Sequence, residues 1–169
     1  YVLNILSSLA VLNTLKDFLP SELLRVKWPN DVYFGDKKIS GILIENFISG
    51  KQIDECIIGL GLNVNQSYFK TPEATSIFQI TRHIYNLKEV YNVLISEFNS
   101  LYKYLKNNQI EKLIITYNHL LYWKDQIHVF KTNKNWEGII RGIDSAGHLK
   151  IERDDKIELF SQNEITFIK

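Results

Sequence analysis

The residues most able to do chemistry fall in three short stretches of this 169-residue chain. The first is Arg25-Val26-Lys27-Trp28-Pro29-Asn30-Asp31-Val32-Tyr33. Pro29 breaks regular structure and biases Trp28 toward extended geometry. Asn30 and Asp31 therefore fall at a strand-to-turn corner, which can aim polar side chains into a cleft. An ordinary Pro-Asn-Asp turn with Trp28 in the core accounts for the same residues. The second stretch is Lys37-Lys38-Ile39-Ser40-Gly41-Ile42-Leu43-Ile44-Glu45. A hairpin of 31–34 with 38–45 returns Lys38 to the end that holds Asp31, where an ammonium can meet a phosphate as a point charge. Gly41 would let a ligand approach the backbone. A solvated lysine pair on a hairpin is the plainer alternative. The third is Ile58-Gly59-Leu60-Gly61-Leu62-Asn63-Val64-Asn65. No third glycine opens a helix, so it is not a dinucleotide loop. It reads as a strand thinned at Gly59 and Gly61 for a flat ligand, with Asn63 offering a donor and an acceptor. Glycines placed for close strand packing explain it equally well.

Other chemistry is absent from the text. His83, His119, His128 and His148 are scattered without metal-ligand spacing. No Ser/His/Asp set and no Gly-x-x-x-x-Gly-Lys loop can be placed. Net charge is +1 with lysines and acids interspersed; a nucleic-acid binder more often shows a basic stripe. No apolar run approaches the roughly 18 residues of a membrane span, and there is no signal-peptide pattern. Cys56 stands alone, which rules out an internal disulfide and fits a reducing, cytoplasmic setting. It reads as a small buried side chain.

These residues need a scaffold, and the periodicity predicts one. Val2, Ile5, Leu6, Leu9, Leu12, Leu15 and Phe18 recur at helical spacing, predicting an amphipathic helix over 2–19 ended by Pro20. Residues 25–66 read as strands, with hairpin turns at Gly35-Asp36 and Ser49-Gly50. Residues 67–76 read as loop. A helix over 87–106 follows, capped by Asn86 with Glu89 and striped from Leu87 to Leu105 as a core face. Asn108 with Glu111 repeats the cap before a helix of about 109–121. Strands at 126–132, 136–142, 148–152, 156–160 and 164–168 suggest a small barrel. The boundary falls near 122–126, dividing the chain into domains 1–123 and 124–169.

Taken together, the three stretches resemble the biotin–protein ligase family in order and spacing. The run Glu137-Gly138-Ile139-Ile140-Arg141-Gly142-Ile143-Asp144 with Gly147-x-Leu149 looks like that family's small SH3-like domain. The resemblance spans nearly the whole chain. It implies an α/β (α+β) catalytic domain, with a mixed sheet flanked by helices in the class II synthetase-like biotin/lipoate ligase fold, followed by an SH3-like β-barrel. It implies ATP-dependent formation of biotinyl-5′-AMP, then transfer of biotin to a lysine of a biotin carboxyl carrier domain. Carried over by position, Lys38 touches the biotin carboxylate side and the α-phosphate. Asp31 sits by the phosphates, to help hold magnesium or accept the acceptor lysine's proton. Asn30 contacts the nucleotide, Asn63 the adenine, and Gly41, Ile42, Gly59 and Gly61 line the biotin and adenylate cleft. No resident metal is implied; Mg²⁺ arrives with ATP.

One departure matters. The family's glycine-arginine-rich loop has no counterpart, since the first glycine is Gly35 and no arginine precedes Arg25. The chain is therefore expected to lack the N-terminal part of the catalytic domain and not to run the full reaction alone. The alternatives are a lipoate–protein ligase-like enzyme and a non-catalytic binding module. A homodimer is possible; no membrane or nucleic-acid partner is expected.

Overall fold

The computed structural model describes residues 1–50 and 52–168. Helix α1 (Val2–Lys16) leads through a 3-10 turn at Ser21–Leu23 into four strands: β1 (Leu24–Lys27), β2 (Asp31–Phe34), β3 (Lys37–Ser49) and β4 (Gln52–Leu62). Helices α2 (Ile77–Thr81), α3 (Leu87–Lys106) and α4 (Ile110–His119) follow. Strands β5 (Ile127–Lys131), β6 (Asn135–Ile143), β7 (Leu149–Arg153), β8 (Lys156–Phe160) and β9 (Thr166–Ile168) complete the chain.

The first sheet runs β1-β2-β3-β4 and the second β8-β7-β6-β5-β9. Both are antiparallel throughout their ladders. The expectation of a mixed sheet is corrected. Parallel pairing among the described residues is confined to isolated bridges such as Lys38 with Ala74. The reason is connectivity: strands joined by two-residue turns must pair antiparallel, and a parallel neighbour needs a long crossover. Gly35, at φ +56, makes the turn between β2 and β3, and Gly50, at φ +63, follows β3. These are left-handed conformations that suit glycine. Lys51 lies outside the described residues.

Helix α1 is not amphipathic. Ile5 through Leu12 are buried without interruption, Ser7 and Ser8 included. It packs on β1, β2 and β3 and is covered by α3 and α4, so each of its faces has a partner. It stops at Lys16 and not at residue 19. Pro20 lacks an N–H and disfavours helix at the residue before it, so the ladder tightens early, with Phe18 N–H donating to Leu15 O at 3.0 Å. Phe18 then meets Tyr85 edge-on at 5.1 Å.

Helix α3 has the predicted bounds, and Asn86 Oδ1 accepts the Lys88 N–H at 2.9 Å. Its stripe is split, however. Val90 and Leu94 are buried, whereas Leu87, Tyr91, Ile95 and Tyr102 are exposed, because α1 covers a narrower face than the stripe spans. The second cap does not form. Asn108 is left-handed at φ +54 and Gln109 takes the cap position without a side-chain bond. Helix α2 falls just after the expected loop. Ser76 Oγ accepts the Gln79 N–H at 3.0 Å, and Ser-x-x-Gln is a readable start signal. Cys56 is half-buried and not in the core, because β4 is an edge strand.

Candidate functional site

The β1–β2 corner carries Trp28 to Asp31. Tyr117 Oη donates to Pro29 O at 3.2 Å, and Trp28 Nε1 donates to Gly147 O at 3.0 Å. Asn30 Nδ2 donates to Ile42 O at 2.5 Å, and Ile42 N–H donates back to Asn30 O at 2.9 Å. This reciprocal pair ties the corner to β3. Lys38 is held separately: its N–H donates to Glu73 O at 2.7 Å and its carbonyl accepts from Thr75 N–H at 2.9 Å.

The register of β2 on β3 shifts between Val32 and Tyr33, so that Val32 faces Ser40 while Tyr33 faces Lys38. Such a bulge re-aims side chains. Lys38 Nζ lies 2.6 Å from Asp31 Oδ1. Gly41 sits directly beneath the pair; a Cβ there would stand 3.0 Å from Lys38 Cε and Nζ. Gly41 pairs with Gly61, and Leu43 with Gly59. The result is an open groove of about 440 Å³ lined by Asn30, Asp31, Lys38, Gly41, Ile42, Leu43, Gly59, Leu60 and Gly61. Its glycine floor is flat, and Leu43 offers exposed apolar surface beside it.

Seven of the eight expected site residues therefore converge. Asn63 is the exception. It follows the end of β4, its N–H donates to Ile39 O at 3.0 Å, and its Nδ2 donates to Thr75 O at 3.0 Å. It is not among the lining residues. Once β4 ends, the chain is drawn onto the 73–77 segment, and the amide bonds inside the protein.

Two phenols flank the carboxylate. The Tyr33 pKa is pushed up to about 12, first by burial and then by the charges of Asp31 and Glu73. Tyr117 is raised further, by full burial and then by Asp31. Both stay neutral across the physiological range. Lys27 Nζ bonds the Tyr33 hydroxyl at 3.4 Å and lies over the Phe167 ring at 5.0 Å.

A larger cavity, about 710 Å³, lies where the two sheets meet, with Leu23, Arg25, Asp36, Tyr122, Trp123 and His128 in its wall. Its polar groups are engaged. Tyr122 Oη donates to Asp36 at 2.6 Å, and the His128 ring stacks on Trp123 at 3.8 Å. Burial lowers the His128 pKa, with Asp36 opposing. The smaller groove is the better site because its ion pair faces open space. Sequence reasoning passed over Tyr117 and the 73–75 segment; a tyrosine within a helical stripe and a polar loop carry no local signal of a distant bond. Among the described residues no group of three His, Cys, Asp or Glu could hold a metal, and no helix is long and apolar enough to cross a membrane.

The chain is similar to proteins of known family. The Bifunctional ligase/repressor BirA of Salmonella typhimurium is 31% identical over 170 residues, covering 88% of this chain and 48% of that protein. The chain spans about half the length of the curated relatives it matches. A crystal structure of the biotin protein ligase from Aquifex aeolicus superposes with TM-score 0.83 at 25% identity, covering 99% of this chain and 74% of the other. A structure of that ligase in complex with biotin and ATP gives 0.82 at 24% identity, covering 99% and 71%. The model of the Biotin/lipoate A/B protein ligase family matches residues 2–63, from α1 through the last groove strand. This matched stretch holds every residue lining the groove.

Proposed function

We propose that this chain supplies part of the catalytic domain of a biotin–protein ligase, and that residues 124–169 form its SH3-like domain behind a boundary at residues 122–126. The observation that carries the reading is the Lys38–Asp31 pair, 2.6 Å apart, standing over the floor of Gly41, Gly59 and Gly61. The similarity to ligases, one of them solved with biotin and ATP, supports it.

In the proposed reaction the biotin carboxylate attacks the α-phosphorus of ATP. The bond to the bridging oxygen breaks and pyrophosphate leaves. Negative charge builds on the transferring phosphoryl group, and Lys38 neutralises it, the kind of electrostatic help that dominates such steps. The neutral amine of a carrier lysine then attacks the acyl carbon, AMP leaves, and Asp31 accepts the proton that the nitrogen sheds. No covalent enzyme intermediate is needed, so the work is positioning. Magnesium would come with the nucleotide, screening its phosphates; Asp31 suits it as a single carboxylate, since this ion usually keeps several waters. Biotin would lie over Gly41, Ile42, Gly59 and Gly61, and Asn30 would face the nucleotide. Asn63 would reach adenine from the end of the groove, exchanging its bond to Thr75 O for the base. The carrier would be a biotin carboxyl carrier domain in the cytoplasm, and the enzyme a possible homodimer.

The test is ATP–pyrophosphate exchange on the full-length protein with biotin present or withheld. Exchange that requires biotin is the expected result. Exchange with lipoate but not biotin, or none with either, sinks the assignment.

A further inference from the structure

On the footing of that reaction, we infer that Tyr117 is a positioning residue: its hydroxyl, through the Pro29 carbonyl, sets Asp31 against Lys38. Tyr117 is 1% exposed and lies 88 positions from Pro29. A phenylalanine would fill the same apolar space, so burial alone does not call for the hydroxyl. The oxygen it donates to belongs to the corner that delivers Asp31 two residues later.

The partners of the reactive pair share the β2–β3 ladder but have different further supports. Lys38 is pinned by Glu73 and Thr75, whereas Asp31 follows the corner. The corner has Asn30 on Ile42 to one side and Tyr117 on Pro29 to the other. Release of the corner would shift Asp31 at the end of β2, while Lys38 keeps its bonds to Glu73 and Thr75.

The end of α4 is itself fixed from behind. The next residue, Asn118, accepts the Ile143 N–H at 2.8 Å through its Oδ1. A Cβ at Gly142 would stand 3.0 Å from that same oxygen, so glycine is what lets β6 come close. Val26 N–H donates to Leu120 O, and Tyr122 N–H to Val26 O, both at 2.8 Å. Position in the second sheet thus passes through Asn118 and Tyr117 to the corner.

The experiment compares Tyr117→Phe with Tyr122→Phe in the full-length protein. Tyr122 also loses a buried hydroxyl bond, to Asp36, but away from the groove. Tyr117→Phe should lower kcat for biotin-dependent pyrophosphate exchange by about 10- to 100-fold, the scale of a misplaced reacting group, with KM for ATP within about threefold. Tyr122→Phe should leave kcat within about twofold, even where its Tm falls as far. Because Tyr117 acts through Asp31, its effect should shrink to about twofold in an Asp31→Asn background. Equal losses in both backgrounds, or equal losses for the two tyrosines, overturn the inference. Absence of exchange in the unmodified protein counts against the ligase reading instead. Positioning is then judged by the crystal structure of Tyr117→Phe: separation of Asp31 from Lys38 by about 1 Å or more upholds it, and an unmoved pair overturns it.

Discussion

Lys38 Nζ and Asp31 Oδ1 lie 2.6 Å apart across the β2–β3 ladder, with Lys38 also bonded to the 73–75 segment. The side chains are 43% and 22% exposed. An ion pair this accessible contributes only about 0–1 kcal/mol to stability. Its placement is therefore better explained by what it faces than by what it holds together.

Replacing Lys38 by Ala or Gln is accordingly expected to separate activity from folding. Biotin-dependent pyrophosphate exchange should fall by about 10²–10³, the usual loss when one donor to a developing charge is removed. Denaturant unfolding should shift by about 1 kcal/mol or less. An unchanged exchange rate would remove Lys38 from the mechanism.

The floor glycines should respond unequally. At Gly41 an added methyl meets the flexible end of Lys38 at 3.0 Å, so Gly41→Ala should displace the ammonium and depress kcat about tenfold or more with little change in Tm. At Gly59 the methyl meets Leu43 at 3.7 Å, ordinary contact. Gly59→Ala should fold normally and raise KM for biotin by obstructing the floor. Steady-state kinetics on both variants makes the comparison; equal kcat losses would contradict it.

Alkaline pH should reveal Tyr33. Burial and the charges of Asp31 and Glu73 hold its folded pKa at about 12, above the usual phenol value of about 10. Folding therefore favours the protonated phenol, and this contribution is complete below pH 10 and lost as pH rises from 10 through about 12. The fall in Tm across that window should be shallower in Tyr33→Phe than in the parent protein. Parallel curves would show that the burial of this hydroxyl is not linked to folding.

The bond from Trp28 Nε1 to Gly147 O joins the corner to the turn between β6 and β7. Trp28→Phe removes that donor and part of a buried ring, and should cost about 2–3 kcal/mol in urea unfolding. Because Tyr117 still holds Pro29, kcat should fall less than in Tyr117→Phe. The two variants measured side by side check the order.

Much of the scaffold was legible locally. Turn residues marked 25–66 as strand-rich, and alternation placed the five short C-terminal strands, since a strand with one buried face must alternate; Asn86 marked the start of α3. Misses occurred where the answer lay elsewhere in the chain. The seam on Leu87, Tyr91 and Ile95 reads as core by period, but how much of it is covered depends on the width of α1. The short helix from Ile77 went unread although Ser76 and Gln79 signal its start; Ser76 also bonds Gln66 O, ten residues back.

The site divides in the same way. Residue type and spacing determined the hairpin and the glycine-thinned strands and marked Asn30, Asp31 and Lys38 as candidates, but the register sets Lys38 beside the turn and Asp31 at the far end of β2, opposite Gly41. Only the tertiary structure decided that a bulge turns Lys38 onto Asp31, that Asn63 bonds Thr75 instead of facing the groove, and that Tyr117 holds the corner from 88 positions away. Those outcomes depend on which buried donor finds which acceptor across the fold. A buried polar group must find a partner wherever one stands, and sequence distance does not say where that is.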